Sequence, residues 1–304
     1  MTPRVTIGLP VRNGQQFLKE AIESLLAQDF GDFLLCIYDN ASADATEEIA
    51  RSYVELDGRV RYHRHQVNLG AAENFNRAFL ESSSEYFKWA SYDDVCAPTF
   101  LSRCVEVLDD DPTVVLSYPM TRVIDANGRP LNDYDRLLCS SSTRPHRRFH
   151  DLVHIEHPCY SIFGVARSEA LRRTQLLGKY TGSDRVLIAE LGLLGRMVCV
   201  PEYLFLRREH PMTSCNAFPL ALRGQWFDPA LRGKIALPTW RLHFEYIRAV
   251  RRARLGLPES LWCYAEVGKC YVLRGNRMAR ELIKAASLVL MPSLLSSRYG
   301  RSEL

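Results

Sequence analysis

Alternating strand and helix signals predict an α/β fold, with a mostly parallel sheet flanked by helices and a C-terminal helical extension. Short apolar runs of strand length alternate with stretches whose apolar residues recur at helical spacing. Polar residues collect at the ends of those runs, where open α/β sheets place their ligand sites. Beyond Trp240 only helical patterns remain.

Val5-Thr6-Ile7-Gly8-Leu9-Pro10 reads as a buried strand stopped by the proline and by the Asn13-Gly14 turn signal. Phe17, Leu18, Ala21, Ile22, Leu25 and Leu26 then give a helix one apolar face. Leu34-Leu35-Cys36-Ile37-Tyr38 is a second strand, ending in Asp39-Asn40. Asp44 with Glu47 has capping-box spacing and opens a helix to about Val54. Val60-Arg61-Tyr62-His63 is a shorter strand, and Asn68-Leu69-Gly70 turns into a helix over Ala71 to Leu80. The apolar run Tyr86-Phe87-Lys88-Trp89-Ala90 is the next strand, and Asp109-Asp110-Asp111 before Pro112 marks a solvated helix end. From Asp125 to Arg173 the pattern is irregular and basic, with a strand expected at Tyr160 to Val165 and a helix at Ser168 to Leu177. Met197-Val198-Cys199-Val200-Pro201 reads as a late strand. Three helices follow: Trp240 to Arg254, Ser260 to Leu273 and Met278 to Met291. Their most apolar stretch, Ala285 to Met291, is too short to span a bilayer.

Chemistry concentrates at Ser91-Tyr92-Asp93-Asp94, directly after a predicted buried strand. Adjacent carboxylates raise each other's pKa, and a positive partner is needed to keep both ionised. A hard divalent cation supplies one and brings phosphates with it. A solvated turn accounts for an Asp pair equally well.

The ordered series Val5 to Pro10, Tyr38 to Asp44, Asn68-Leu69-Gly70 and Tyr92-Asp93-Asp94 resembles the nucleotide-binding half of a family-2, GT-A-fold inverting glycosyltransferase. Gly182-Ser183-Asp184-Arg185 and Arg207-Arg208-Glu209-His210 resemble that family's later blocks, so the resemblance runs from about Val5 to His210. It implies a catalytic domain at 1–215, divided into a nucleotide-sugar half (1–120) and an acceptor side (121–215), with a helical region at 216–304. Asp39 falls where the family binds the nucleotide base, and Pro10, Val11 and Asn13 would line the same pocket. Asn68, Asn74, Arg77 and Asp93 fall among its nucleotide-sugar contacts. Asp94, with Asp93 and His210, matches its positions for Mn²⁺ or Mg²⁺, and Asp184 its catalytic base.

The chain departs from the family pattern at Asn40, often acidic in relatives; at Glu73, often basic; and at Ser183, which replaces a frequent acidic neighbour of the base. Asp184 also suits a helix N-cap. His63 and His65 read as surface residues. His146, His150, His154 and His157 have no cysteine at a zinc-like spacing, which excludes zinc on sequence grounds. Among the tryptophans, read as packing residues, Trp226 is the one candidate sugar platform worth a test.

Composition fits a folded enzyme: 47% hydrophobic, 24% charged, net charge +4. That charge argues against nucleic acid as the main partner. Nine scattered cysteines fit a reduced, cytoplasmic setting, and the early first strand leaves no room for a signal peptide. The expected partners are a nucleotide-sugar donor and a glycan or lipid-linked acceptor. The C-terminal helices, one of them basic with Arg248, Arg251, Arg252 and Arg254, read first as a lobe packed on the catalytic domain, with peripheral contact with the inner membrane face as the second reading. The alternative is a catalytically inactive nucleotide-sugar-binding protein of the same fold. A nucleotidyltransferase is excluded because Asn13-Gly14 makes no glycine-rich phosphate loop.

Overall fold

The structure, a computed structural model, describes residues 2–134, 140–213, 223–232 and 236–290. In chain order β1 (Val5–Val11), α1 (Leu18–Leu26), β2 (Phe33–Asp39), α2 (Thr46–Leu56), β3 (Val60–Arg64), α3 (Ala71–Leu80) and β4 (Tyr86–Trp89) build the first half. There follow β5 (Val95–Cys96), α4 (Phe100–Asp110), β6 (Val114–Ile124), β7 (Pro130–Tyr134), α5 (Pro145–His154), β8 (Val165–Arg167), α6 (Ser168–Arg172), α7 (Ser183–Leu194) and β9 (Arg196–Arg208). The helices α8 (Arg223–Phe227), α9 (Pro238–Ala253) and α10 (Leu257–Leu290) complete the described chain.

One sheet runs β3-β2-β1-β4-β8-β6-β9-β5, with β7 beside β6. Its first four strands are parallel, as the alternation of strand and helix predicts. Beyond them it is mixed: β8 is antiparallel to β4 and β6, and the long β6 and β9 run parallel. Side-chain alternation divides the core. Val5, Ile7, Leu9 and Val11 of β1 join Leu18, Ile22 and Leu25 of α1 on one face. Cys36 and Tyr38 of β2 join Phe79 of α3 and Phe87 and Trp89 of β4 on the other.

Pro10 does not stop β1, which continues to Val11. The Val5 amide and the Val11 carbonyl face β2, whereas the Gly8 carbonyl accepts from Ala90 on the β4 side. The amide that Pro10 lacks therefore falls on the β4 side, one step past the last β1–β4 bond. A proline is tolerated where no ladder bond is owed, and the sheet opens there between β1 and β4.

Other boundaries are corrected. Tyr160–Phe163 is a turn of 3₁₀ helix rather than a strand, closed by Ile162 N–H to Cys159 and Gly164 N–H to Ser161; only Val165–Arg167 joins the sheet. The helix from Ser168 ends at Arg172, where Thr174 takes the Leu171 carbonyl with both its amide and its hydroxyl. The strand begun at Met197 runs on to Arg208. The two last predicted helices are one, α10, because Gly275 alone costs about 1 kcal/mol in a helix and does not break it. The capping pair separates too. Asp44 accepts from the Thr46 amide and hydroxyl, while Glu47 turns to Arg51 and Arg64.

The C-terminal helices share the main core. Tyr246, Ala249 and Val250 of α9 are buried with Val186 and Leu187 of α7, and α10 packs on α5 and α9. No helix among the described residues is long and apolar enough to cross a membrane. The described cysteines are free.

Candidate active site

Because β1, β2 and β4 are parallel, Val11, Asp39 and the residues after Trp89 meet at one sheet edge. Two loops there are stitched together. The Asn13 amide donates to Ser42 Oγ (2.9 Å) and its side chain accepts from the Ala43 amide (2.9 Å). The Gly14 amide donates to Thr46 Oγ1 (2.8 Å) and the Gln15 amide to Asp44 Oδ2 (3.0 Å). A Cβ on Gly14 would come within 2.5 Å of Val11 and 2.9 Å of Tyr92, so a glycine is needed for the loop to close on the Asp93 turn.

Asp39 is fully buried. Its Oδ1 accepts from the Ser42 amide (2.9 Å) and hydroxyl (2.5 Å), and its Oδ2 from Tyr62 (2.7 Å), with Arg64 Nε at 3.4 Å. Next to it Asn40, also buried, donates to Asn68 Oδ1 (2.9 Å) and the Gly70 carbonyl (3.3 Å) and accepts from Leu69 N–H (2.8 Å). The departure at this position therefore serves the Asn68-Leu69-Gly70 turn: only an amide can donate and accept there. Gly70 itself has φ +83°, and a Cβ would sit 2.6 Å from the Phe227 carbonyl.

Asp93 and Asp94 lie at the carboxyl end of β4 and are buried. Asp93 accepts from the Ser91 hydroxyl at Oδ1 and meets His210 Nε2 at 3.0 Å through Oδ2. Arg208 holds the pair from the end of β9: its amide donates to Asp94 Oδ1 (2.8 Å) and its Nε to the Asp93 carbonyl (2.9 Å). Its fork also reaches Glu20 Oε2 (2.6 Å) and the carbonyls of Asp125 (3.3 Å) and Ala126 (3.1 Å), above the Phe17 ring. Burial, then the Asp93 charge, holds the Asp94 carboxyl well above its usual range against the opposing Arg208 amide, Arg207 and Lys88. A bound dication would relieve that, so the pair fits a divalent ion at Asp94 with phosphate oxygens completing its shell. The ligand atoms of Asp94, Asp93 and His210 do not all come within 4.8 Å of one another, however. His210 meets Asp93 at 3.0 Å.

Lys88, missed in the sequence, is buried beneath this turn and donates to the carbonyls of Phe163 (2.5 Å) and Trp89 (3.3 Å), 4.0 Å above the Phe100 ring. Burial lowers its pKa. A lysine inside an aromatic run was the available signal. Arg207 and Arg208 were legible only as part of a block, not as individual contacts.

Asp184 sits in the first turn of α7, but Gly182 (φ +86°), not Asp184, takes the cap position. Its Oδ1 accepts from the Arg185 amide (2.9 Å). Burial raises its pKa, although part of its surface stays accessible. Since β8 runs antiparallel to β4, with Lys88 opposite Val165, the 3₁₀ turn before β8 lies at the carboxyl end of β4. β6 and β9 also run parallel to β4, so α7, which ends at Leu194 just before β9, starts with Asp184 on the carboxyl-end side of the sheet.

Asn74 is buried and holds the frame, donating to the Tyr38 carbonyl (2.9 Å) and meeting His65 Nε2 (3.1 Å). Arg77 faces Glu73 (3.3 Å) on the same helix, half-exposed. Asn68 is exposed, its Oδ1 taken by Gly70 N–H (2.9 Å) as well as by Asn40. His63 is exposed and stacks on Tyr38. Trp226 packs edge-on against Phe75 and Phe227.

An α/β sheet with a buried aspartate at the end of β2 and an aspartate pair at the end of β4 is the arrangement that the sequence resemblance leads one to expect. The family model for glycosyl transferase family 2 matches residues 6–172, more than half the chain, and the protein belongs to that family with a GT-A fold. An uncharacterized glycosyltransferase of Rickettsia felis is 33% identical over 134 residues, covering 42% of this chain and 21% of the relative. One from Rickettsia typhi is 31% identical over 131 residues, 43% of this chain and 40% of the relative. The matched stretch thus spans less than half of these relatives' own length. Staphylococcus aureus TarS 1-349 in complex with UDP-GlcNAc superposes with a TM-score of 0.65 at 14% identity, covering 91% of this chain and 74% of that one. The mannosyltransferase PcManGT of Pyrobaculum calidifontis, in complex with GDP-Man and Mn²⁺, gives 0.50 at 18% identity, covering 95% and 81%. These two likenesses concern the fold.

Proposed function

We propose that the protein transfers a sugar from a nucleotide-diphosphate donor, a UDP- or dTDP-sugar by preference, to a hydroxyl of a glycan or glycolipid, with inversion at the anomeric carbon. What supports this reading is that Asp39 and Asp93-Asp94 end parallel strands of one sheet and that α7 begins, with Asp184 in its first turn, on the same side of it. The nucleotide-sugar complexes of TarS and PcManGT support the donor class, and the Mn²⁺ of the latter supports a metal.

In this reading Asp39, oriented by Ser42 and Tyr62, faces the base, and Pro10, Val11 and Asn13 wall the pocket. Asp93 is held for the ribose by Ser91 and His210. Asp94 would hold Mn²⁺ or Mg²⁺, which when bound stabilises the charge growing on the departing diphosphate. Asp184 takes the proton of the acceptor hydroxyl as that oxygen attacks, and its raised pKa suits a base that must bind the proton. Asn74 acts by fixing the end of β2 rather than by touching the donor.

The division at residue 215 is also proposed, as a functional boundary rather than a packing one, since α9 shares the core of α7. Expected membrane contact draws no support from α9, whose apolar face is buried and whose Arg241 and Arg248 pair with Glu245. Exposed Leu261, Trp262, Leu273 and Ile283 make α10 the better candidate, and failure to float with anionic liposomes at low salt would remove it. A role in cell-envelope polysaccharide or glycolipid synthesis follows from this acceptor class.

The test is calorimetric titration with UDP, dTDP and GDP, each with and without Mn²⁺ or Mg²⁺. Metal-dependent binding of one diphosphate supports the transferase and names the donor to screen. Binding without turnover of any sugar donor would favour the inactive relative. Folded protein that binds none of them would overturn the reading.

A further inference from the structure

A second group of metal-ligating side chains lies away from the nucleotide edge, between α5 and α10. His150 and His154 are one helical turn apart on α5 and so share a face, their ring centroids 4.6 Å apart. Glu266 of α10, 112 residues beyond His154, sets a single oxygen between them. That Oε2 is 2.7 Å from His150 Nδ1 and 3.1 Å from His154 Nε2. Among the described residues this is the one trio whose ligand atoms all lie within 4.8 Å of each other. Sequence spacing excluded zinc because no cysteine falls among the histidines; the fold supplies the missing ligand from another helix.

Several details favour an ion over a plain ion pair. One carboxylate needs only one imidazolium, yet here two imidazoles converge on the same oxygen. Lys269 Nζ takes the other oxygen at 2.8 Å, so Oε2 is the oxygen that both imidazoles face, although the Lys269 charge opposes a cation. Cys270, buried one turn further along α10, places Sγ 3.6 Å from His154 Nδ1. Arg274 opposes a cation by its charge, but its guanidinium is turned to the Val153 carbonyl at 2.9 Å. With bonds of about 2.0–2.1 Å, tetrahedral zinc sets its N and O ligands about 3.3 Å apart, so Glu266 would draw back slightly from His154 and by about half an ångström from His150.

We propose that His150, His154 and Glu266 bind a divalent transition metal, zinc foremost, which fastens the long helix α10 to α5. The donor set of two imidazoles and one carboxylate suits a borderline ion, whereas Mg²⁺ prefers oxygen alone. The site is therefore chemically distinct from Asp94. Its consequence is mechanical: α5 packs against α7, which carries Asp184, so the ion would brace the C-terminal helices against that element.

The experiment uses the full chain, stripped with a chelator and titrated with Zn²⁺ against a chromophoric competitor, and with Co²⁺ under visible spectroscopy. Expected are one tight equivalent of zinc, cobalt absorption of four-coordinate intensity, and a zinc-dependent rise in Tm. All three should persist in Asp94→Asn, while affinity falls about ten- to hundred-fold in Glu266→Gln and in His150→Gln. His150 is half-exposed, so that variant tests the site without threatening the fold. No tight equivalent would overturn the proposal. So would zinc binding that survives His150→Gln and His154→Gln unchanged, or that is lost in Asp94→Asn alone.

Discussion

Arg208 grips Asp94 and Asp93 with different parts of one residue: its amide donates to Asp94 Oδ1 at 2.8 Å and its Nε to the Asp93 carbonyl at 2.9 Å. The end of β9 thereby fixes the turn after β4 from 114 residues away. In Arg208→Ala the carbonyls of Asp93, Asp125 and Ala126 lose their donor. Each such loss costs about 1–3 kcal/mol, and the expected total is about 3 kcal/mol or more. Arg208→Lys keeps the charge but cannot span these partners, so it should be intermediate in stability and weaker in metal-dependent nucleotide binding. Urea unfolding and nucleotide titration check both. A lysine variant matching wild type in the two assays would show that the fork does not matter.

Asn40→Asp tests the departure from the family pattern. Asn40 Nδ2 donates to Asn68 Oδ1 and to the Gly70 carbonyl. A carboxylate would set acceptor against acceptor in a buried place. Destabilisation of about 1–3 kcal/mol is expected, read from the urea midpoint at unchanged slope. An equally stable variant would mean that the 68–70 turn is held by something else.

What could be read from the sequence follows the range of the signal. β1, β2 and β4 were legible because their apolar runs are continuous and their polar ends abrupt, and Asp39 and Asp93-Asp94 came with them. Tyr160–Phe163 misled because a short aromatic-rich run carries no period to separate a strand from a turn. α10 was divided at Gly275, whose local cost is outweighed by the surrounding helix. The positions of Asp93 against His210, Arg208 across both aspartates, and Glu266 between two histidines are set by packing over more than 110 residues, which no local pattern encodes.

Gly70→Ala probes the seam between α3 and the segment after α8. A methyl group there meets the Phe227 carbonyl at 2.6 Å and Pro229 Cδ at 2.7 Å, on a backbone with φ +83°. The conformation alone costs about 1 kcal/mol or more, and the clash adds to it. The expected result is a lower Tm together with faster proteolysis between residues 223 and 232. Unchanged protection there would separate the glycine from the docking of α8.

On the proposed mechanism, Asp184 ties catalysis to stability with a definite sign. Its folded pKa is raised, with burial the leading cause, so the folded state binds the proton more tightly than the unfolded one. Below the ordinary carboxylate pKa both states are protonated and the residue is neutral in its effect. As pH rises through the raised folded value, the buried carboxylate must ionise and stability falls. Asp184→Asn removes that penalty. At neutral pH the variant should be at least as stable as wild type, with a flatter dependence of stability on pH. Its kcat should nevertheless drop by about a hundred- to ten-thousand-fold while nucleotide affinity is kept, because the base is gone and the donor pocket is not. In the wild type, the acid limb of kcat/KM should have its midpoint above the ordinary aspartate value. Unchanged turnover would remove Asp184 from the chemistry. A variant that loses turnover and stability together would make its role structural instead.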